Sequence, residues 1–390
     1  MHTERLMEVA IILLPLVCWP NLERPFSTPK LWLLAAMALA VAAHHLRSRE
    51  RLRVPGWPWL AWLGAIALSA ATGAYVSLEA LLLVLLPVGL YTCPLPPKRI
   101  GSALLAGSAI ESLMAVLQYC HADPLQLLGW IPETFSNPRM RVYGTLGNPA
   151  FVAAFLCATL PLYAGVKRKA WLGAGLALQA AAIFATGSRI SLLALPAAAA
   201  VLAFRGVKAH KWLLAGVPAA VLLLWLSPAR PLGVTVEGRL YLARVTVAHW
   251  NEIRPLGQGP GAYRLQFAQW QENWLRDPQN REKAGDFAGL VNHAHNDYVE
   301  MLVDFGPAGL IAFLVLSGWL MANAWRTPER GWCAGAWGGL AALLAAACAD
   351  FPFHRPAEWA LFWLLLAMLG GGLQRQKPAT EAEAMILAKK

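Results

Sequence analysis

The segment VNHAHNDYVEMLVDFGPAGL (291–310) places two histidines, an asparagine and an aspartate directly before a long apolar run. An imidazole titrates near neutral pH, so it can take a proton from a hydroxyl group during a transfer reaction. Asn296 is a suitable N-cap for a helix that starts near Asp297, which puts His295 just outside the first turn. We therefore expect His295 to be a general base. Two alternatives stay open: His295 only hydrogen-bonds at the helix start, or His293, His295 and Asp297 alternate as metal ligands, for which three residues are weak evidence.

The stretch before this segment, residues 228–297, is rich in arginine. It contains a single lysine, Lys283, and seven arginines, which are Arg230, Arg239, Arg244, Arg254, Arg264, Arg276 and Arg281. The planar guanidinium fork suits bidentate binding of phosphate or carboxylate better than the point charge of a lysine does. The pattern therefore indicates an anion site, while for any single arginine the alternative is a solvated or salt-bridged surface position.

The part of this stretch with the clearest pattern is GRLYLARVTVAHW (238–250), which predicts an amphipathic helix. Arg239 and Arg244 are five residues apart on it and point about 140° away from each other. We therefore do not expect them to serve one site equally. The following PLGQGPGAY (255–263) predicts a turn whose glycines allow close backbone approach or positive φ. No strand-to-helix context supports a nucleotide-binding loop there.

Two further arginines lie beside apolar runs. Arg189 lies in ATGSRISLL (185–193), where two predicted spans are joined by a very short connector. At that position its side chain either snorkels to the membrane surface or binds an anion. Arg141 lies in RMRVYGTLGNPAFVAAFL (139–156), in which Asn148 and Pro149 predict the N-cap and first residue of a helix. We expect Arg141 to reach the same membrane face as Arg189, and Asn148 to be mainly structural.

The elements that must position these residues are membrane helices. Of the 390 residues, 57% are hydrophobic and 14% are charged, with 18 tryptophans and a mean hydropathy of +0.46, which excludes an ordinary soluble globular protein. A helical span needs roughly 20 mostly apolar residues. The sequence predicts about twelve: 6–20, 31–46, 57–75, 77–93, 100–119, 148–166, 170–187, 189–204, 212–227, 298–322, 332–349 and 357–373.

The formal charge of +11 is concentrated in short connectors on one side of these spans, at 44–53, 96–99, 167–169, 205–211 and 325–330. That asymmetry predicts cytoplasmic connectors and two cytoplasmic termini rather than nucleic-acid binding. The first apolar run lacks a signal-peptide cleavage site, so we expect it to remain as a span. The cysteines form neither a disulfide framework nor a metal motif.

We therefore predict an all-α polytopic membrane protein with about twelve transmembrane helices and a large, partly helical external loop between spans 9 and 10. The predicted parts are N-terminal spans (1–119), an external loop (120–147), spans with the Gly-Ser-Arg turn (148–227), the large external loop (228–297), C-terminal spans (298–373) and a cytoplasmic tail (374–390).

These motifs together resemble the O-antigen ligase family. They are RVYGTLGNP (141–149), GSR (187–189), GR (238–239) followed by PLGQGPG (255–261), HNDYVEMLVDFGPAGL (295–310) and ADFPFHRP (349–356). The resemblance extends from about 140 to 370. It implies the fold of C-type membrane glycosyltransferases and transfer of a glycan from undecaprenyl pyrophosphate to lipid A-core, without metal or other cofactor, at the periplasmic face of the bacterial inner membrane.

The resemblance also implies residue roles. His295 is the expected general base or acceptor-orienting group, and Arg189 and Arg239 are the expected catalytic ligands of the pyrophosphate, whose leaving charge arginines can stabilise. Arg141 and Arg244 are expected substrate contacts, with Arg244 competing with Arg239 for the motif position. Further expected substrate-binding residues are Asn148, Asn296 and Tyr298. Expected partners are the lipid-linked glycan, lipid A-core and membrane lipids, and no nucleic acid.

Three other functions are compatible with parts of this pattern. An O-antigen polymerase often carries Arg-x(10)-Gly elements, but Arg139, Arg141, Arg239, Arg244 and Arg254 each have a residue other than glycine eleven positions on. A protein O-oligosaccharyltransferase usually has an added C-terminal region. A flippase for lipid-linked glycans would have its ionisable residues near the membrane midplane, whereas here they gather at one face. The sequence therefore favours a ligase.

Overall fold

The computed structural model of the chain describes residues 2–48, 56–127, 129, 142–205, 232–325 and 331–373. The apolar run predicted at 212–227, and Arg139 and Arg141, lie outside the described residues.

The regular secondary structure of the described residues is helical and includes no strand, which confirms the all-α prediction. The first nine helices are α1 (His2–Leu16), α2 (Thr28–Ser48), α3 (Trp57–Thr72), α4 (Leu78–Leu85), α5 (Pro97–Tyr119), α6 (Pro124–Leu127), α7 (Pro149–Thr159), α8 (Lys169–Thr186) and α9 (Ser191–Phe204). The later ones are α10 (Leu232–Ala248), α11 (Tyr263–Trp274), α12 (Pro278–Ala284), α13 (Asp297–Trp325), α14 (Trp332–Ala347) and α15 (Pro356–Leu373).

Among the described residues, three helices are long and apolar enough to cross a membrane, namely α2, α5 and α13. The predicted count of about twelve spans is therefore not confirmed. Prolines are one reason why some apolar runs form α-helices too short to count as spans. The run at 77–93 changes to a 3₁₀ turn at Leu86–Thr92, which contains Pro87. The run at 148–166 does the same at Leu160–Gly165, which contains Pro161. Their α-helical parts, α4 and α7, are correspondingly short.

The core of the bundle surrounds α15. This helix buries its residues on every side, including Trp359, Phe362 and Trp363, as expected of a helix that is apolar all round. It packs against α14, α13 and α5, and α14 in turn packs on α7 and α9. The turns at one end of these helices are thereby brought together.

A smaller apolar cluster forms in the predicted external loop, where α10 packs on α11. Tyr241 and Val245 of α10 meet Phe267 and Trp270 of α11, and the Trp270 indole donates to Glu252 at 2.7 Å. The helix predicted over 238–250 is confirmed, although it begins earlier, at Leu232.

The Pro/Gly-rich turn after α10 is also confirmed, since Gly257, Gly259 and Gly261 all have positive φ. It lies against a kink in α13 at Gly306 (φ 70°, ψ 177°), which precedes Pro307. Within a regular helix the carbonyls of residues 303 and 304 would accept from residues 307 and 308. Pro307 has no N–H, and Ala308 donates to Pro255 instead (3.3 Å).

The turn replaces the donors that the kink removes. The Gln258 N–H donates to the Val303 carbonyl at 2.9 Å, and the Gly259 N–H donates to the Asp304 carbonyl at 3.0 Å. The buried Asp304 carboxylate accepts from the N–H groups of Gly261 and Tyr263, at 2.8 and 2.9 Å. The arginine-bearing loop is therefore fixed to the helix that follows His295.

Candidate active site at the start of α13

The start of α13 is fixed by Asn296. Its side-chain oxygen accepts from the N–H groups of Tyr298 and Val299, at 3.0 and 3.1 Å, and its amide donates to the Cys348 carbonyl at 2.9 Å. The Asp297 N–H donates to the Asp350 carbonyl. The predicted N-cap is confirmed, and it joins the start of α13 to the turn between α14 and α15.

His295 stands immediately before this cap, in a left-handed conformation (φ 50°) that is uncommon for a residue other than glycine. Its Nδ1 lies 3.6 Å from Oδ1 of Asp350, and its side chain is 47% exposed, whereas Asp350 is buried. This separation exceeds a direct hydrogen bond, but such contacts are often long before substrate binds. The arrangement leaves Nε2 as the nitrogen not directed to the carboxylate.

Asp350 is held by Arg355, which is itself buried and donates from Nη1 to Oδ2 at 3.0 Å. Burial alone would raise the pKa of Asp350, but the charge of Arg355 and the contact with His295 outweigh it and lower that pKa. Arg355 also lies 3.1 Å from Glu358 and stacks over the ring of Phe151 at 4.0 Å. Asp350 is therefore an ionised carboxylate with one oxygen on Arg355 and the other facing His295.

Phe351 is the aromatic centre of this turn. Its ring meets His295 edge-on at 5.1 Å, stacks on His293 at 4.0 Å, and lies 5.3 Å from the Arg355 guanidinium. The ring restricts the directions that the His295 imidazole can take, so the turn sets the position of this histidine.

His293 differs from His295 in its partners. Its Nδ1 lies 2.8 Å from the buried Glu300, which also accepts from the Ala294 N–H at 2.9 Å. His293 is therefore paired with a buried carboxylate, and the geometry favours His295 over His293 as the reactive histidine.

A buried ion cluster lies beneath these residues. Nδ1 of His354 lies 2.6 Å from Asp297, and Nε2 lies 3.6 Å from Glu300. Burial alone would lower the pKa of His354, but Glu300 and Asp297 outweigh it and raise the pKa to about 10. His354 is therefore an imidazolium at neutral pH, and it links the first turn of α13 to the α14–α15 turn.

The two competing arginines of α10 have different surroundings. Arg239 is half-buried, while Arg244 is exposed. Burial lowers the pKa of Arg239, and the negative charge of Asp350 counteracts this, so the guanidinium lies within electrostatic reach of the His295–Asp350 pair. Among the described residues, no side chain forms an ion pair or hydrogen bond with Arg239.

Arg189 lies in the turn between α8 and α9. Its Nη1 atom is buried and lacks a hydrogen-bond partner in the described part of the chain. The next residue, Ile190, belongs to an apolar cluster with Ala153, Ala346 and, at its edge, Ala349. The turn of Arg189 is therefore packed beside the turn that carries Asp350.

The remaining expected residues have structural contacts. The Asn148 side chain accepts from the Ala150 N–H at 2.8 Å, which confirms the predicted cap of α7. The Tyr298 hydroxyl donates to the Leu344 carbonyl at 2.9 Å. Arg141 lies outside the described residues. Across the described ranges no group of three or more His, Cys, Asp or Glu residues is arranged to hold a metal, and His293, His295 and Asp297 face different partners.

The sequence prediction missed three residues: Asp350, His354 and Arg355. All three occur in ADFPFHRP (349–356), the segment recognised only as a further turn near the last helix. Its one acidic and two basic residues, next to an apolar run, were a usable signal, since charged residues beside an apolar helix are usually paired.

A family model matches part of the chain. Residues 174–314 match the family model described as O-antigen ligase. This range includes Arg189, Arg239 and His295 but ends before Asp350. No curated protein matches the chain. The family is one of glycosyltransferase-like enzymes of the ligase and polymerase class, acting on lipid-linked glycans and lipid acceptors. The match covers about a third of the chain, so residues 174–314 are similar to the O-antigen ligase family, and the apolar helices support a membrane protein.

Proposed function

We propose that the chain transfers an O-antigen-type glycan from undecaprenyl pyrophosphate to lipid A-core, at the periplasmic face of the bacterial inner membrane. The observation that carries this proposal is the half-exposed His295 with Nδ1 directed to the buried, ionised Asp350. A carboxylate on one imidazole nitrogen orients the ring and stabilises its protonated form, which is what a general base at a sugar hydroxyl requires.

In the proposed step, Nε2 of His295 accepts the proton of an acceptor sugar hydroxyl. The hydroxyl oxygen forms a bond to the anomeric carbon of the glycan. The bond from that carbon to the pyrophosphate oxygen breaks, and the electron pair leaves with undecaprenyl pyrophosphate. The imidazolium that forms is balanced by Asp350.

The arginines stabilise the charge that develops on the leaving group. Arg239 is half-buried without an acidic partner in the described chain, and Arg189 has a buried Nη1 without a partner there. Such desolvated guanidinium groups bind an oxyanion more strongly than solvated ones do. We assign both to the pyrophosphate. Arg141 remains a candidate contact, Arg244 is a weaker one because it is exposed, and Asn148, Asn296 and Tyr298 support the site.

The test uses purified full-length protein in detergent with undecaprenyl-pyrophosphate glycan and lipid A-core. Wild-type protein should form glycosylated lipid A-core, and both His295→Ala and Arg189→Ala should abolish most of it. His293→Ala is the matched control for the histidine, and Arg276→Ala, which removes an exposed arginine of an i,i+4 surface pair, is the control for the arginine. Added chelator should leave the rate unchanged.

Each outcome has a separate meaning. Full activity of both His295→Ala and Arg189→Ala would refute the mechanism. Extension of a lipid-linked glycan, or glycosylation of a protein, in place of lipid A-core would assign the chain to the polymerase or protein-transferase branch. Absence of product with every acceptor, together with movement of the donor across vesicles, would favour a flippase.

A further inference from the structure

Helix α10 has apolar side chains on two opposite faces. One face, with Tyr241, Leu242 and Val245, is buried against α11. The opposite face carries Val236, Leu240, Ala243 and Val247 at spacings of three and four residues, and Trp250 follows three residues later in the 3₁₀ turn after the helix; all five are exposed, Val247 and Trp250 at 67%. A helix with a single packing partner needs only one apolar face, so the second face requires a partner.

Charged side chains border the exposed apolar face. Arg244 and Glu237 lie along one edge, and Arg239 lies along the other. An apolar strip with an aromatic end and arginines at its margins is the composition of helices that lie in the boundary between lipid headgroups and acyl chains. Tryptophan in particular is enriched at that level.

Contacts beyond the end of α10 place it close to the membrane helices. The Arg254 guanidinium donates to the carbonyl of Thr72, the last residue of α3, at 3.1 Å. Trp250 precedes Arg254 by four residues, which span at most about 14 Å. The following turn is bonded to α13 at Val303 and Asp304, just before residues 307–325, which contain no charged side chain.

The sequence also predicts that the start of α10 lies close to the membrane. The apolar run predicted as a span, 212–227, ends shortly before Leu232, where α10 begins. A helix of 17 residues is about 25 Å long. Since α10 follows a predicted span and is tied to α3 just beyond its other end, we expect it to lie along the membrane surface.

We infer that the exposed face of α10 docks on the bilayer surface, with Val236, Leu240, Ala243, Val247 and Trp250 in contact with lipid. This docking holds Arg239, at the margin of the strip, at the height of lipid phosphate groups. The inference concerns the lipid contact and stands whether or not the proposed transfer reaction is correct.

Site-directed spin labelling of the full-length chain in phosphatidylethanolamine–phosphatidylglycerol nanodiscs tests it. Single cysteines are introduced by Leu240→Cys and Val247→Cys in a background without the six native cysteines, and Glu272→Cys on α11, 74% exposed, is the matched control. The ratio of collision rates with oxygen, which partitions into lipid, to those with a water-soluble nickel complex should be severalfold higher for labels at 240 and 247 than at 272.

Equal ratios at all three positions would overturn the inference. So would low accessibility to both reagents at 240 and 247, because that result would mean that protein, either another segment or a second copy, covers the face. Photo-crosslinking tests the same lipid contact in a chain that keeps its native cysteines. A photoreactive benzophenone amino acid at 247 should crosslink to phospholipid, and one at 272 should not. Failure of the 247 probe to crosslink lipid would also overturn it.

Discussion

The ion cluster around His354 predicts a loss of stability at alkaline pH. The imidazolium lies between Asp297 and Glu300, and these carboxylates raise its pKa from 6.5 to about 10. A group whose pKa is higher in the folded state contributes its full stabilisation below the unfolded value and loses it as the pH rises through the folded value. The contribution of His354 to the free energy of unfolding is therefore complete below pH 6.5 and is lost by about pH 10.

The size of the effect follows from that interval. Each pKa unit corresponds to about 1.36 kcal/mol, so the full contribution is about 5 kcal/mol. With an unfolding entropy of about 2.1 cal/mol/K per residue, a change of this size moves the Tm of a 390-residue chain by about 6 °C. The side chain is buried, so little of this is removed by solvent screening.

The assay compares wild-type protein with His354→Gln in detergent, following thermal unfolding by tryptophan fluorescence at several pH values from 6.5 to 10. The difference in Tm should be largest at the acid end and close to zero at the alkaline end. His249→Gln is the control, because that imidazole contacts a backbone carbonyl and the Trp270 ring rather than a carboxylate. A wild-type advantage over His354→Gln that stays constant or grows with pH would refute the electrostatic reasoning.

Three further predictions concern the site and its support. Asp350→Asn should lower kcat by about 10²-fold or more with a small change in KM, because it removes the charge that balances protonated His295; kinetics showing an effect on KM alone would contradict this. Arg239→Ala should lower kcat/KM for the lipid-linked donor by about 10²-fold, whereas the exposed Arg244→Ala should stay close to wild type, and the reverse order would assign the motif position to Arg244. Gly257→Ala should destabilise the chain by about 1–3 kcal/mol in chemical unfolding, because φ is +84° there and a Cβ would collide with a backbone carbonyl of α13; unchanged stability would show that the turn can shift.

Features set by a few neighbouring residues were predictable from the sequence. Asn148 and Asn296 were predicted as caps because a cap depends on residues within one helical turn. The helix around Arg239 and the glycine turn after it were predicted for the same reason. The difference between Arg239 and Arg244 followed from helical periodicity, which places them on different faces, and the structure gives them different burial.

The partners of His295 were not predictable in this way. Asp350 and Arg355 come from a turn more than fifty residues further along the chain, and only the packing of α14 and α15 against α13 brings them to the histidine. The predicted number of spans is not confirmed, for a related reason. Hydropathy reports how apolar a run is, but it does not show where proline shortens the helix.

The bonds between the glycine turn and the kinked α13 have a consequence for how the protein is made. Val303 and Asp304 present carbonyls that obtain their donors from Gln258 and Gly259, some 45 positions earlier in the chain. The turn is therefore synthesised before the helix that needs it. Deletion of the turn should leave the Val303 carbonyl without a donor at the edge of the apolar segment, whereas the Asp304 carbonyl keeps the Ser69 hydroxyl as a donor. Such a chain should be degraded by quality-control proteases, whereas shortening of the later α12 region should leave assembly of α13 intact.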